Sequence, residues 1–191
     1  MKLDQAYWEQ CYVNHQSPWD MGSASTPLIS YLEKQNRDAS IFIPGAGRAW
    51  EVDWMLEQGF TDITVIDLSS TALQEAMERI PHSDQVKWIE GNFFEHIGHY
   101  DLIMEQTFFC ALDPQLRPDY ALKMKSLLKE GGKLFGLLFN FPLSTEGPPF
   151  GGSKAEYLNL FQSQFKIHHL EICYNSIKPR AGREFFLELE A

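Results

Sequence analysis

A short apolar run that ends in a Gly-x-Gly turn constrains this chain more than any other feature. Residues 41–43 lead into Pro44-Gly45-Ala46-Gly47 and then into a helical pattern, and the next apolar run ends at Asp67, roughly twenty residues beyond the turn. Such a turn brings backbone N–H groups close to a ligand, and a carboxylate at the tip of the second strand can accept both hydroxyls of a ribose. The stretch predicts a nucleoside-cofactor site.

The pattern of apolar runs and breakers predicts an α/β protein. Helices are expected at 4–16, 26–35, 49–58, 69–80, 117–129 and 154–164. Strands are expected at 40–43, 62–67, 86–90, 100–105, 133–141, 165–174 and 183–190. Because the last two strands follow each other without a helix, they form an antiparallel hairpin. The prediction is a Rossmann-like, mostly parallel seven-stranded sheet that ends in this hairpin, with helices on both faces.

Two features favour S-adenosylmethionine over a nicotinamide dinucleotide as the nucleoside cofactor. The third glycine of the dinucleotide fingerprint would fall at position 50, which is Trp50, so a pyrophosphate would be poorly accommodated. S-adenosylmethionine has no phosphate. Methyltransferases of the Rossmann-like class also finish with an antiparallel hairpin, and a small NAD-dependent reductase therefore fits worse.

Several candidate residues keep a second interpretation. Asp67 could cap the helix that begins at Ser69 instead of binding a ribose. Asn92 and Phe93, after the third strand, could accept the exocyclic amine of adenine and pack on the base, or form a simple turn. The N-terminal aromatic residues could belong to a core or to a helical lid over the ligand; they are Tyr7, Trp8, Tyr12 and Trp19.

The net charge and the short apolar runs of the sequence argue against some partners. The chain of 191 residues carries 16 Lys and Arg against 26 Asp and Glu, a net charge of -10. Phosphate backbones attract basic surfaces, so this balance argues against nucleic acid and anionic membranes as partners. No apolar run reaches the roughly 18 residues of a membrane span, and the N-terminus does not resemble a signal peptide.

The cysteines and histidines predict neither disulfides nor a metal site. Cys11, Cys110 and Cys173 are far apart and odd in number, which favours reduced thiols in the cytoplasm. Cys110 could be a nucleophile, but its apolar neighbours favour a buried thiol with a raised pKa. No histidine shows metal-ligand spacing. We expect a cytoplasmic, monomeric protein without a metal.

Seven segments of the chain resemble the thiopurine methyltransferase superfamily, closest to its plant and microbial thiol, thiocyanate and halide methyltransferases. They are WEQC at 8–11, SPWDMG at 17–22, TPLI at 26–29, PGAG at 44–47, FFCALDP at 108–114, LRP at 116–118 and GPPF at 147–150. The resemblance covers the chain from about Trp8 to its end. It implies one S-adenosylmethionine-dependent domain over 1–191, with a helical lid at 1–36 and a Rossmann-like core at 37–191.

The resemblance also implies site residues. The cofactor-binding set is Trp8, Tyr12, Trp19, Gly45, Gly47, Asp67, Leu68, Asn92, Phe93 and Gln106. The candidates for the acceptor pocket are Tyr12, Phe108, Arg117, Phe139 and Phe150. Four positions depart from the plant proteins: Tyr12 replaces a tryptophan, Asn92 an aspartate, Gln106 a tyrosine or arginine, and Phe139 a tyrosine.

The implied reaction is in-line attack of a soft nucleophile on the sulfonium methyl, giving S-adenosylhomocysteine. A thiolate, thiocyanate or halide needs no general base, which fits the lack of an evident acid/base pair. Arg117 or Arg180 could steer such an anion, or either could be a surface charge. The alternative is a non-catalytic nucleoside-binding domain that kept the fold and lost its acceptor pocket; Phe139 in place of tyrosine is its best support.

Overall fold

The computed structural model describes residues 2–144 and 146–191. Met1 and Thr145, which fall in the predicted lid 1–36 and in the predicted loop 142–152, lie outside the description. The described chain folds around one seven-stranded sheet with the strand order β3-β2-β1-β4-β5-β7-β6.

The strands are β1 (Ile41–Pro44), β2 (Ile63–Asp67), β3 (Val86–Glu90), β4 (Tyr100–Gln106), β5 (Leu128–Phe139), β6 (Lys166–Ile172) and β7 (Glu184–Glu190). The helices are α1 (Gln5–Val13), α2 (Thr26–Leu32), α3 (Trp50–Glu57), α4 (Ser70–Arg79), α5 (Arg117–Leu127) and α6 (Lys154–Phe161). None of these described helices is long and apolar enough to cross a bilayer.

Among the described strands, six run in the same direction and β7 alone runs in the opposite direction. β1 pairs in parallel with both β2 and β4, whereas β7 runs antiparallel to β5 and to β6. The predicted sheet with its terminal antiparallel hairpin is confirmed. β1 and β4 are neighbours in the sheet, but the chain leaves β1 towards β2 and leaves β4 towards β5, on opposite sides. A crevice therefore opens at the carboxyl ends of these two strands.

Alternating side chains of β1 divide the core between the two faces of the sheet. Phe42 packs on one face with side chains of α5 and α6. Ile41 and Ile43 pack on the other face with side chains of α2, α3 and α4. All four residues of β1 are shielded from solvent or nearly so, as expected for a central parallel strand that is covered on both sides.

The structure corrects the predicted boundary between α5 and β5. The helix was expected to reach Lys129 and the strand to begin at Lys133, but the helix ends at Leu127 and Leu128 already pairs with Tyr100. Gly132 permits this pairing because a Cβ there would lie 2.9 Å from the Tyr100 carbonyl oxygen. At its other end β5 stops at Phe139, and residue 141 makes only an isolated bridge to residue 152.

Candidate active site

A cleft of about 1260 Å³ lies at the carboxyl ends of β1, β2, β3 and β4. Its floor is the turn after β1, and its roof is the N-terminal segment 3–23. The turn follows the strand closely, because the Gly45 N–H donates to the Ile66 carbonyl at 2.8 Å. Gly45 and Gly47 both have a left-handed backbone, with φ of 56° and 53°, which explains the glycine at each position.

Each of these glycines lies directly against an aromatic side chain. A Cβ on Gly45 would overlap the Phe108 ring, and a Cβ on Gly47 would lie 2.5 Å from the Tyr12 hydroxyl. The Gly-x-Gly turn therefore brings its backbone close to the walls of the cleft. Phe108 comes from the segment after β4, and Tyr12 comes from α1.

Asp67 ends β2 and joins two parts of the floor. Its Oδ2 accepts from the Gly47 N–H and its Oδ1 from the Ser69 N–H, both at 2.9 Å. The carboxyl is only 8% exposed, and burial raises its pKa even though these backbone N–H groups act to lower it. Helix α4 is capped by Ser69, whose hydroxyl accepts from the Ala72 N–H. The alternative role of Asp67 was to cap the helix that follows it, and in the structure Ser69 caps that helix.

Helix α1 is fixed to the first turn of α4 by one carboxylate. Glu9 accepts from the Ser69 hydroxyl at 2.7 Å and from the Thr71 hydroxyl and N–H at 2.5 and 3.3 Å. A negative charge at this position is favourable because the N-terminus of a helix carries a partial positive charge. These hydroxyl bonds lower the pKa of Glu9. The contact holds α1 beside Asp67.

The roof of the cleft is aromatic. The Trp19 indole N–H donates to the Tyr12 hydroxyl at 3.3 Å, and the Trp19 ring meets those of Tyr12 and Trp8 edge-on, with centroids 6.0 and 5.5 Å away. All three rings line the cleft. The aromatic residues that the sequence assigned either to a core or to a lid therefore cover the cleft.

Asp20 holds the segment after α1 to the start of α3. Its carboxylate accepts from Arg48 at 2.5 Å and from the Trp50 indole N–H at 2.6 Å. Arg48 also donates to Glu75 at 2.7 Å. The positive charge nearest the glycine turn is thus neutralised by two carboxylates, which leaves it poorly suited to receive a phosphate.

The segment that follows β3, residues 91–95, lines one end of the cleft. The Asn92 side-chain oxygen accepts from the Phe94 N–H at 3.0 Å, and its amide donates to Glu95 at 3.2 Å. This is the turn that was the alternative to an adenine contact, although Asn92 and Phe93 both line the cleft. The Phe93 ring is buried and meets the Phe108 ring edge-on at 5.1 Å.

The other end of the cleft combines aromatic rings with two arginines. Phe139 lies 5.5 Å from the Arg180 guanidinium, and Phe141 lies 5.2 Å from that of Arg183. Arg180 also donates to the Trp19 carbonyl at 2.9 Å and pairs with Glu184 at 3.3 Å. The two rings and the two arginines line the cleft next to Pro148 and Pro149. Glu184 does not line it and pairs with Arg180 from outside the cleft.

The structure brings the ten predicted cofactor-binding residues together. Trp8, Tyr12, Trp19, Gly45, Gly47, Asp67, Leu68, Asn92, Phe93 and Gln106 all line the cleft. Among the predicted acceptor residues, Tyr12, Phe108 and Phe139 line it too. No group of three or more potential metal ligands occurs among residues 2–144 and 146–191.

Arg117 and Phe150 do not line the cleft, so their predicted position is corrected. Arg117 is 7% exposed; it donates to the Gly151 carbonyl at 2.7 Å and stacks over Phe109. It begins α5 and is buried, so it is not a surface charge, and it is not among the residues that line the cleft. Phe150 is 8% exposed and packs against Gly147 within its own loop.

Sequence reasoning missed four residues that shape the cleft. Asp20 and Glu9 hold the roof, and Arg183 lines the cleft beside Phe141. Glu105 holds the backbone of Phe108, which also lines the cleft. Glu9 and Asp20 lie in the family-like segments 8–11 and 17–22 but were given no role there, and Arg183 and Glu105 lie outside those segments. The one available signal was the apolar setting of Glu105, after four residues of which three are apolar.

Cys110 has the environment that its apolar neighbours predicted. Burial raises the pKa of its thiol, and the thiol donates to the Thr107 carbonyl at 3.3 Å. A nucleophilic cysteine needs a lowered pKa. Cys110 is therefore a buried thiol in the wall of the cleft.

A model of the thiopurine S-methyltransferase family matches residues 3–185. The chain belongs to the thiopurine S-methyltransferase family. Members of this family use S-adenosyl-L-methionine, and the protein is an S-adenosylmethionine-dependent methyltransferase. The resemblance noted from its seven sequence segments is confirmed.

Relatives within the family include plant and bacterial proteins. A probable thiol methyltransferase 2 of Arabidopsis thaliana is 32% identical, over 93% of this chain and 81% of the relative. Thiocyanate methyltransferase 1 of Brassica oleracea is 30% identical, over 95% and 83%. A thiopurine S-methyltransferase of Acinetobacter baylyi is 24% identical, over 88% of each chain.

A solved methyltransferase has the same fold. The 1,6-didemethyltoxoflavin-N1-methyltransferase of Burkholderia thailandensis, solved with 1,6-didemethyltoxoflavin and S-adenosylhomocysteine, superposes with a TM-score of 0.76 at 18% identity, covering 97% of this chain and 86% of that one. At this identity the likeness extends to the fold alone. It agrees with the Rossmann-like methyltransferase fold predicted for this family member.

The cleft of this family member fits S-adenosylmethionine in its chemistry. Asp67 presents a buried carboxylate whose oxygens have further lone pairs for hydroxyl donors. The aromatic roof suits a sulfonium cation, because aromatic faces attract positive charge. Arg48, the cation nearest the turn, is occupied by Asp20 and Glu75, which suits a cofactor without phosphate.

Proposed function

We propose that this methyltransferase acts on a soft anionic nucleophile, namely a thiolate, thiocyanate or halide. The observation that carries the proposal is the pairing of Arg180 with Phe139 at the acceptor end of the cleft, with Arg183 on Phe141 beside it. Arg183, which makes no ion pair with a described residue, attracts an anion, and Arg180, which shares its charge with Glu184, adds a smaller attraction. The aromatic rings remove water from the anion. The plant relatives named as thiol and thiocyanate methyltransferases support the same acceptor class.

The side chains of the cleft offer no free general base for a neutral acceptor. No histidine or lysine is present among the described residues that line it. Six carboxylates line the cleft, and each accepts at least one hydrogen bond within the protein: Asp4, Asp20, Glu51, Asp67, Glu90 and Glu95. An acceptor that arrives as an anion needs no deprotonation, which is consistent with this set of groups.

The proposed contribution of the protein is to orient and to exclude water. S-adenosylmethionine supplies a methyl group on a positively charged sulfur, which is a good leaving group. Asp67 and the turn at Gly45 and Gly47 hold the nucleoside end, and Trp8, Tyr12 and Trp19 cover it. Phe139 and Arg180 hold the acceptor at the end of the cleft away from Asn92 and Phe93. Alignment of this kind can contribute roughly 7 to 11 kcal/mol to lowering the barrier.

We also propose that residues 1–36 act as a lid on a core of residues 37–191. Support comes from its first part, 3–23, which covers the cleft and is held there by Glu9 and Asp20, whereas α2 packs into the core through Leu28 and Leu32. A monomeric, cytoplasmic enzyme without nucleic-acid partners remains our prediction. The net charge of -10 and three free, buried cysteines support it.

The test is an assay of purified protein with S-adenosylmethionine and one acceptor at a time: bisulfide, thiocyanate, iodide and an aromatic thiol. Methanethiol, methyl thiocyanate or methyl iodide as the main product in the headspace supports a small-anion enzyme. Preference for the aromatic thiol would indicate a wider pocket. Binding of S-adenosylhomocysteine without methylation of any acceptor would instead support the non-catalytic alternative.

Arginine variants test the role of the charge. Arg180→Met and Arg183→Met are expected to raise the KM for thiocyanate about tenfold, which corresponds to about 1.4 kcal/mol. Arg37→Met is the matched control, because Arg37 also stacks on a phenyl ring, that of Phe60, but lies outside the cleft. An unchanged KM in both cleft variants would contradict an anionic acceptor.

A further inference from the structure

We propose that Glu105 is a positioning residue whose carboxylate holds the turn at Thr107, so that Phe108 forms the wall of the cleft against Gly45. Glu105 does not line the cleft and makes no contact with the space where a ligand binds. It acts through the backbone that follows β4. The proposal concerns the cofactor end of the cleft and does not depend on which acceptor is methylated.

The Glu105 carboxylate is fully buried and fully hydrogen-bonded. Its Oε1 accepts from the N–H groups of Phe108 and Phe109, both at 2.9 Å, and its Oε2 accepts from the Tyr120 hydroxyl at 2.7 Å. Its exposed fraction is 0%. Burial of a carboxylate is costly unless every oxygen finds a donor, and these three donors meet that need.

The hydrogen bonds of Glu105 to the N–H groups of Phe108 and Phe109 bridge Thr107, whose backbone has an unfavourable conformation. Thr107 has a φ of 57°, in the left-handed region that a β-branched residue rarely adopts. Such a conformation persists only where surrounding structure enforces it, and it is often found at functional sites. The carboxylate on one side of Thr107 and the two N–H groups on the other close the turn around it. Thr107 itself lines the cleft.

The turn determines where two walls of the cleft lie. Phe108 is the first residue after Thr107, and its ring leaves no room for a Cβ on Gly45. The same ring meets Phe93 edge-on at 5.1 Å, at the end of the cleft assigned to the adenine. A change in the Thr107 backbone would therefore move the wall against the glycine turn together with the support of Phe93.

Among Glu105 and the titratable groups that face it, Glu105 is the one whose charge changes near neutral pH. Burial raises the pKa of Glu105 to about 7, despite the lowering effect of its three hydrogen bonds. Tyr120 of α5, Tyr157 of α6 and Cys110 also sense this carboxylate, and burial raises the pKa of each, which keeps them neutral. Bonds to an ionised acceptor are stronger than bonds to a neutral one, so the turn is held more firmly when Glu105 is ionised.

The test is the affinity for S-adenosylhomocysteine, measured by calorimetry from pH 6 to pH 8. For the unaltered protein we expect the affinity to rise severalfold across this interval. Glu105→Gln preserves the shape and an oxygen for both N–H groups but has no charge. It is expected to bind about tenfold more weakly at pH 8 and to show no rise. Glu130→Gln, exposed at the opposite end of the sheet, is the control.

A second variant separates positioning from general stability. Glycine adopts the left-handed conformation without strain, so in a Thr107→Gly background the further change Glu105→Gln should weaken binding much less than it does alone. Wild-type affinity and wild-type pH dependence in Glu105→Gln, with only a lower Tm, would overturn the proposal. An equal loss in both backgrounds would overturn it too. Because no acceptor is used, these results are independent of the proposed methyl acceptor.

Discussion

The carboxylate of Asp67 accepts the backbone N–H of Gly47 at 2.9 Å. This hydrogen bond joins the tip of β2 to the turn after β1, two segments that lie side by side in the sheet. The group proposed to bind the ribose is thus also the group that holds the glycine turn in place. In this proposal, cofactor recognition and the shape of the cleft floor depend on the same side chain.

Asp67→Asn is expected to weaken binding of S-adenosylhomocysteine about 10- to 100-fold. The asparagine loses the charge and presents an N–H group where the Gly47 or Ser69 N–H requires an acceptor, and bonds to charged groups contribute about 1.5 to 3 kcal/mol. Calorimetric titration measures the change. Asp62→Asn is the matched control, since Asp62 is exposed and immediately precedes the same strand. Equal affinity of the two variants would contradict the role of Asp67.

Gly45→Ala is expected to destabilise the protein more than Gly59→Ala. Both glycines have a left-handed backbone, which costs alanine about 1 to 2 kcal/mol. A Cβ at Gly59 meets open space, whereas one at Gly45 overlaps Phe108 and adds about 1 to 3 kcal/mol of steric strain. The free energy of unfolding in urea gives the difference.

Removal of the Phe108 ring should relieve that overlap. In the double variant Gly45→Ala/Phe108→Ala, the combined loss of stability is expected to be smaller than the sum of the two single losses by about 1 kcal/mol or more. Additive losses would show that Phe108 does not lie against the turn in solution.

Asp20→Asn is expected to speed the dissociation of S-adenosylhomocysteine about 3- to 30-fold. The variant keeps an oxygen for the Trp50 N–H but loses its ion pair with Arg48, in which both side chains are largely shielded from solvent. Stopped-flow tryptophan fluorescence reports the rate, because Trp19 and Trp50 lie beside Asp20. Asp38→Asn, in an exposed turn, should leave the rate unchanged. An unchanged rate for Asp20→Asn would argue against a lid held by this contact.

The raised pKa of Glu105 predicts a pH dependence of stability. Its pKa rises from an ordinary 4.5 to about 7 on folding, so the folded protein binds more protons between these values than the unfolded chain does. This contribution to stability is fully present below pH 4.5 and is lost as the pH rises through about 7. Relative to the unaltered protein, Glu105→Gln should therefore become more stable as the pH rises. A constant difference in the free energy of unfolding would contradict the shifted pKa.

The sequence by itself determined the class of fold and most of the residues that line the proposed cofactor end of the cleft. The alternation of apolar runs predicted the seven strands, because a central strand such as β1 needs apolar side chains on both faces. The turn at Gly45 and Gly47 and the carboxylate at Asp67 were recognised from local spacing. Local spacing also predicted the position of Asp67 beside the turn, since parallel neighbours align their carboxyl ends.

Only the tertiary structure decided how the cleft is closed and which arginines belong to it. Asp20 meets Arg48 across 28 residues, Glu9 meets Ser69 across 60, and Arg180 meets the Trp19 carbonyl across 161. Such pairs leave no periodic trace, because each partner is an ordinary polar residue and the contact depends on how distant loops are packed.

Arg117 illustrates the same limit from the other side. Its family-like setting predicted an acceptor contact, but it opens α5, whose packing against the sheet directs its guanidinium to the Gly151 carbonyl. The apolar neighbours of Glu105 indicated that it is buried but not which groups it meets, since its three donors come from two separate segments. Spacing along the chain fixes which residues share a strand or a helix face. Which charged groups meet is decided only when those elements pack together, because a buried charge must find its partners in three dimensions.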